Sequence, residues 1–253
     1  RTKFYISLLE ALFDIFKVNN QKIILENKKE ICKKNYDVIF ITHLVNEKQF
    51  KSTVDNYFGD LINSTSKKGY SALQIFIPHI KSNKKEFVKY IKKEKEYDSH
   101  LLDENIVSFK AKLKTIISLL KQRQKFFELS KKISGYKGNL ALYTAESFLF
   151  RNNFCNFIYG IQIEDIIKNT KSKNIVTTFE GYSWERLFYY LSRKKNPFIN
   201  CIGFQHTIIF KYQHSLTRLL QKEWNPDFIL SSGDISTAIF NKRMSKEIST
   251  KTL

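Results

Sequence analysis

The stretch from Asn174 to His206, NIVTTFEGYSWERLFYYLSRKKNPFINCIGFQH, limits what this chain can fold into more than any other part of it. Asn174 to Phe179 is a short run rich in β-branched residues and predicts a buried strand. Trp184 to Arg193 places apolar side chains at helical spacing, and Pro197 stops that helix. Phe198 to Phe204 predicts a second strand. Two strands joined through a helix lie parallel in a sheet. Both then bring polar residues to their C-terminal ends, Glu180 and Gly181 after the first, Gln205 and His206 after the second. Those ends line the crevice in which open α/β sheets bind ligands, so a carboxylate and an imidazole on neighbouring strands are the leading candidates for chemistry.

The alternation continues on both sides of this unit. Tyr36 to Thr42 reads as a buried strand ending at His43, Ser71 to Ile77 as one closing at Pro78 and His79, and Phe228 to Ser231 as one ending at Ser232, Gly233 and Asp234. Lys22 to Leu25 predicts a further short strand. Helices are expected over Phe4 to Val18, Lys48 to Ile62, Lys84 to Lys95, Asn105 to Lys132 and Ser215 to Lys222, with one or two more between Ala141 and Asn169. In the long helix Ile116, Ile117, Leu119 and Leu120 are assigned inward and the lysines outward. Strands alternating with helices predict the α/β class, a Rossmann-like parallel sheet flanked by helices.

Charge narrows the partners. The 43 Lys and Arg outnumber the 24 Asp and Glu, a formal net charge of +19, which predicts attraction to a phosphorylated ligand, an anionic membrane face or nucleic acid. The plainer account of a lysine-rich stretch such as Lys84 to Lys95 is a solvated amphipathic helix. Cys32, Cys155 and Cys201 are odd in number and far apart, which suits reduced thiols and a cytoplasmic chain. No apolar run reaches the ~18 residues of a bilayer span, and no signal peptide opens the sequence. Beginning at Arg1 and ending abruptly at Leu253, the chain reads as a fragment of something longer.

Glu180, at a strand tip beside a glycine, is placed to act as a general base or to bind hydroxyls. His206 is placed to donate to a phosphate or to exchange a proton near neutral pH, with Gln205 and Thr207 adding hydrogen bonds. Gly181 lets the backbone pass close over a ligand, or simply turns the chain from strand to helix. Trp184 offers a ring to a sugar or base, or packs on the sheet. Glu185 either meets substrate or, in the first turn after a Ser183 cap, serves the helix dipole. His43 and His79 follow strands and either face the same crevice or cap their strand ends, while His100 and His214 have less in their favour. The sequence has no GxGxxG, GxxxxGK[ST] or GxSxG, no CxxC or HExxH metal spacing and no Asp-x-Asp. Dinucleotide-binding, P-loop, α/β-hydrolase and metal-held nucleotide-sugar readings therefore lose support.

Phe179-Glu180-Gly181-Tyr182-Ser183-Trp184-Glu185, then Gly203-Phe204-Gln205-His206-Thr207, then Pro226-Asp227 ahead of a strand ending at Gly233, form an ordered set over about the last third of the chain. In this set the chain resembles bacterial surface-carbohydrate biosynthesis proteins, which look like GT-B glycosyltransferases of the capsule and O-antigen (lipopolysaccharide) type. The resemblance implies two Rossmann-like domains facing across a cleft, with residues 1–225 as the acceptor side and 226–253 as the start of a truncated donor side. It implies a glycosyltransferase of surface polysaccharide biosynthesis that moves a sugar from a nucleotide-sugar donor to a glycan or lipid-linked acceptor, with neither a bound metal nor another cofactor. Glu180 and His206 would be catalytic, and Gly181, Trp184, Glu185, Gln205, Thr207, His43 and His79 substrate-binding. The implied location is the cytoplasm, with peripheral association at the inner face of an anionic membrane. The alternative is a noncatalytic basic α/β module for nucleic acid or another anionic polymer, and nucleic acid is disfavoured because no recognised binding module occurs.

Overall fold

The computed structural model describes residues 22–50, 52–79, 96–148, 150–210, 213–244 and 248–253. Within them the apolar runs become strands β1 (Val38–Leu44), β2 (Ala72–Pro78), β4 (Asn174–Thr178), β5 (Asn200–Gln205) and β6 (Phe228–Ser231), joined by β3 (Asp98–Leu101) and β7 (Ser249–Thr252). All seven pair parallel, in the order β3-β2-β1-β4-β5-β6-β7. Ile39, Leu73, Ile175 and Cys201 stand in register and are fully buried. One position on, Phe40, Val176 and Ile202 form the next row and are buried with Phe58, Ile62 and Tyr97. Because successive side chains point to opposite faces, burial of both rows requires cover on both sides of the sheet. This is the α/β, Rossmann-like architecture.

The α-helices among the described residues are α1 (Lys22–Ile31), α2 (Leu61–Lys67), α3 (Phe109–Lys132), α4 (Gly135–Ser147), α5 (Arg151–Thr170), α6 (Ser183–Lys195) and α7 (Asp234–Arg243). The described residues divide into two units: one, within Lys22–Leu102 and Gly160–Leu253, holds the sheet, and the other lies within Asp103–Tyr159. In the second unit Ser108 caps α3 by accepting from the Ala111 N–H at 3.3 Å. There Gly138 of α4 sits against the end of α3, where a Cβ would meet the carbonyl oxygens of Ile133, just past the helix, at 2.0 Å and of Ser130 at 3.3 Å. Glu104 accepts from Arg151 at 3.1 Å and from the Cys155 thiol at 3.1 Å.

Several local expectations are corrected. Lys22 to Leu25 is helical, because Ile24, Asn27 and Ile31 bury at helical spacing within α1. Over Lys48 to Ile62 a short 3-10 turn, Glu47–Phe50, gives way to a tight bend in which Gly59 holds φ 58°, and α2 starts only at Leu61. In α3, Ile117 faces solvent and Lys112 is buried, the reverse of their assignments. Ser215 to Lys222 does not form an α-helix. The Arg186 guanidinium takes the Ser215 and Arg218 carbonyls at 3.1 and 2.7 Å, oxygens that a helix would have used for its own ladder. The expected helices at Phe4 to Val18 and Lys84 to Lys95 lie outside the described residues.

Residues 226–253 do not begin a separate sheet, as the resemblance implied; β6, α7 and β7 extend the existing one. Asp227, expected at a domain crossing, accepts from the Cys201 N–H at 2.7 Å and pairs with Arg193 at 2.9 Å, tying β6 to β5 and α6. Among the described residues no helix is long and apolar enough to cross a membrane.

Candidate functional site

The strand order runs outward from β1 to β3 on one side and from β4 to β7 on the other, so the winding reverses between β1 and β4. At such a switch point the loops leave in opposite directions and open a crevice beyond the C-terminal strand ends. His43 is the penultimate residue of β1, His79 follows β2, Glu180 lies just beyond β4, and His206 follows β5. The fold therefore delivers all four to one edge. Glu180 Oε1 stands 3.9 Å from His206 Nε2, and His43 Nδ1 is 2.6 Å from His79 Nε2. The Tyr57 ring bridges the two groups, edge-on to His206 at 5.0 Å and to His43 at 5.3 Å.

The loop that carries Glu180 is braced from within. Its backbone N–H donates to Glu185 Oε1 at 2.9 Å, that of Tyr182 donates to Glu185 Oε2 at 2.8 Å, and the Glu180 carbonyl accepts from Ser215 Oγ at 2.8 Å. Glu185 is fully buried, and burial pushes its carboxyl up to about 8 against the backbone N–H groups that favour the anion. Both of its oxygens are thus spent on bracing the Glu180 loop. Tyr182 is the residue before the helix, and Ser183 is its first residue, not its cap. Gly181, at φ 79°, is pressed against the Ser215 backbone, where a Cβ would meet the carbonyl oxygen at 2.1 Å; this approach, not a ligand, explains the glycine.

The other expected binding residues divide in the same way. Trp184 is mostly buried and packs edge-on against His43 at 5.0 Å, so it sets the imidazole and leaves little ring for a ligand. Gln205 is buried, with its amide N–H turned to the Thr207 carbonyl and hydroxyl, which couples the two residues on the His206 loop. Gln205 Oε1 and Thr178 Oγ1 are buried at these strand ends without a hydrogen-bond partner among the described residues. Among the described residues no group of three His, Cys, Asp or Glu is arranged to hold a metal ion.

Sequence reasoning missed Tyr57, Tyr182 and Asp55. Asp55 is buried and accepts from Thr42 Oγ1 at 3.0 Å, Gln74 Nε2 at 2.9 Å and the N–H groups of Tyr57 and Phe58 at 2.8 and 2.9 Å. This fixes the bend that aims Tyr57 at the histidines. The signal was Asp55 two residues ahead of Tyr57 with Gly59 following, an Asx-type turn hidden inside an expected helix. The Glu180 carboxylate raises the Tyr182 phenol, and burial with Asp55 and Glu180 raises that of Tyr57, so both stay protonated at neutral pH.

Burial lowers all three crevice histidines: His43 to about 4, helped by His79 and His206; His79 by burial alone; and His206 despite the opposing pull of Glu180. Away from the site, His100 on β3 is wholly buried against Asn27 Oδ1 at 2.7 Å and is lowered to about 3. Unfolded, each would titrate near 6.5, so below that pH the unfolded chain binds protons that the folded chain does not. Stability from these groups is complete above pH 6.5 and falls as pH drops towards 4 and 3. Denaturant unfolding at pH 5 should give a value about 3 kcal/mol below that at pH 7 from His43 and His100 together. The double variant His43→Asn/His100→Asn should flatten that slope.

No protein-family model and no curated protein sequence matches the chain. Among solved structures it is similar to a hydrogen sulfide-producing enzyme from Fusobacterium nucleatum, at 16% identity over 99% of this chain and 68% of that one, with a TM-score of 0.21. A likeness of that size carries no argument, and the fold rests on strand order and pairing.

Proposed function

We propose that the sheet unit carries a glycosyl-transfer site of the surface-polysaccharide type, which moves a sugar from a nucleotide-activated donor to a hydroxyl of a glycan or lipid-linked acceptor. The observation that carries this reading is the meeting of Glu180 and His206 at 3.9 Å beyond the ends of the adjacent strands β4 and β5, next to the switch point, with side chains 24% and 14% accessible. At that separation they are too far apart to satisfy each other with a direct hydrogen bond, so each retains capacity for a ligand.

Glu180 takes the proton of the acceptor hydroxyl as its oxygen bonds to the anomeric carbon. The bond from that carbon to the phosphate oxygen breaks, and the electron pair leaves with the nucleotide. His206, kept neutral near pH 7 by burial, offers one N–H to the phosphate on which charge develops. The protonated Tyr57 phenol adds a donor at the same edge, while the Tyr182 phenol donates to the Glu180 carboxylate and holds it.

The test is calorimetric titration with UDP-, GDP- and CMP-sugars at low and high salt, followed by an assay for nucleotide release on adding oligosaccharide acceptors. The reading expects one nucleotide class to bind at both salts, binding to weaken in His206→Ala, and acceptor to stimulate release. If the protein instead binds any polyanion with affinity that collapses in salt and is unchanged in His206→Ala and Glu180→Gln, it is the basic anion-binding module and not a transferase.

A further inference from the structure

The helix α4 is amphipathic in the wrong sense for a helix whose apolar face is already covered. Its buried positions are Gly138, Ala141 and Ala145, all small, spaced to lie along α3. Its large side chains point outward: Tyr136 is 80% exposed, Leu140 51% and Tyr143 66%. A helix stabilised by packing buries its large apolar residues and shows polar ones to water, so the outward stripe lacks a partner within the described residues.

Charge says what covers it. Over residues 120–147, the C-terminal half of α3 and all of α4, six Lys or Arg (121, 123, 125, 131, 132 and 137) accompany only two Glu (128 and 146). In that half of α3 no described residue is buried, and Lys121, Lys125, Lys131 and Lys132 are exposed, Lys131 lying 3.5 Å from Glu128. Two copies of such a surface brought face to face would repel. A layer that accepts Tyr and Leu side chains while presenting negative charge to lysines is an anionic lipid interface. From this combination we infer that the α3–α4 hairpin docks on anionic lipid headgroups, with Tyr136, Leu140 and Tyr143 entering the interfacial layer and Lys131, Lys132 and Lys137 meeting the phosphates. The inference does not depend on glycosyl transfer and would stand if that reading failed.

Flotation of the full chain with vesicles of phosphatidylcholine alone, and with vesicles of equal parts phosphatidylglycerol and phosphatidylcholine, tests it. Binding is expected only to the anionic vesicles and should fall with salt. The triple variant Tyr136→Ser/Leu140→Ser/Tyr143→Ser should lower partition at least about tenfold. Lys131→Gln/Lys132→Gln/Lys137→Gln should lower it on the order of a hundredfold at low salt, with circular dichroism unchanged in both. Equal binding to neutral vesicles, binding to neither, or anionic binding that both folded variants retain would overturn the proposal. So would a dimer that dissociates on Tyr143→Ser without any vesicle binding, since the occupant would then be a second copy.

Discussion

Replacing Glu180 by glutamine is expected to lower the turnover of sugar transfer by about a hundred- to ten-thousandfold while leaving the fold intact. Besides the hydrogen bond that its carboxylate accepts from the Tyr182 phenol, Glu180 is tied through its backbone, whose N–H is taken by Glu185 and whose carbonyl is taken by Ser215. Glutamine preserves both of those bonds and the size of the side chain, but it cannot accept a proton at the reacting hydroxyl. Steady-state kinetics should therefore show the loss in kcat with little change in KM for the donor, and denaturant unfolding should match the parent chain within about 0.5 kcal/mol, as for a surface change. His206→Ala should differ by weakening donor binding as well. A chain that merely gathers anions would bind them as well, or slightly better, once the Glu180 charge is gone.

The second large effect is structural. Gly181→Ala should destabilise the chain by about 4 kcal/mol or more, measured by denaturant unfolding. An L side chain at φ 79° pays for the left-handed backbone, roughly 1–2 kcal/mol. The remainder comes from a Cβ at 2.1 Å from the Ser215 carbonyl oxygen and 2.3 Å from its carbon, an overlap with backbone that no rotamer change relieves. Ser215 would have to withdraw, releasing its hydroxyl from the Glu180 carbonyl and its own carbonyl from Arg186. The same change should thus disturb catalysis through loop position. Gly233→Ala, where a Cβ meets nothing within 4 Å, is the matched control and should cost little.

How far these features were visible in the sequence depends on where their stabilising partners lie. β1, β2, β4, β5 and β6 were legible because central parallel strands, covered on both faces, must be apolar runs. β3 and β7 were not, because DSHL and STKT are edge strands with polar composition; β3 is held at Asp98 by Lys34 and the Tyr36 hydroxyl, both more than 60 residues away. Ser215 to Lys222 had helical spacing, but its carbonyls are claimed by Arg186 from α6, a long-range bond that local periodicity does not register. Glu180 and His206 were legible because a residue that follows a strand in a βαβ unit has its edge set by topology. Tyr57 was hidden because its position depends on Asp55 reaching Thr42 and Gln74. Glu185, Gly181 and Trp184 drew attention for the right neighbourhood and the wrong contact, since each holds the loop or His43 in place.

The central claim is that ligand chemistry occurs where β1, β4 and β5 end, and the five histidines report on it directly. Nuclear magnetic resonance of the imidazole carbon-bound protons, titrated with the nucleotide sugar that binds most tightly, should shift His206, His43 and His79 together. His100, sealed beneath α1, and His214, exposed on a separate turn, should remain still. Shifts confined to His214, or absent from all three crevice histidines at saturating nucleotide, would contradict the account.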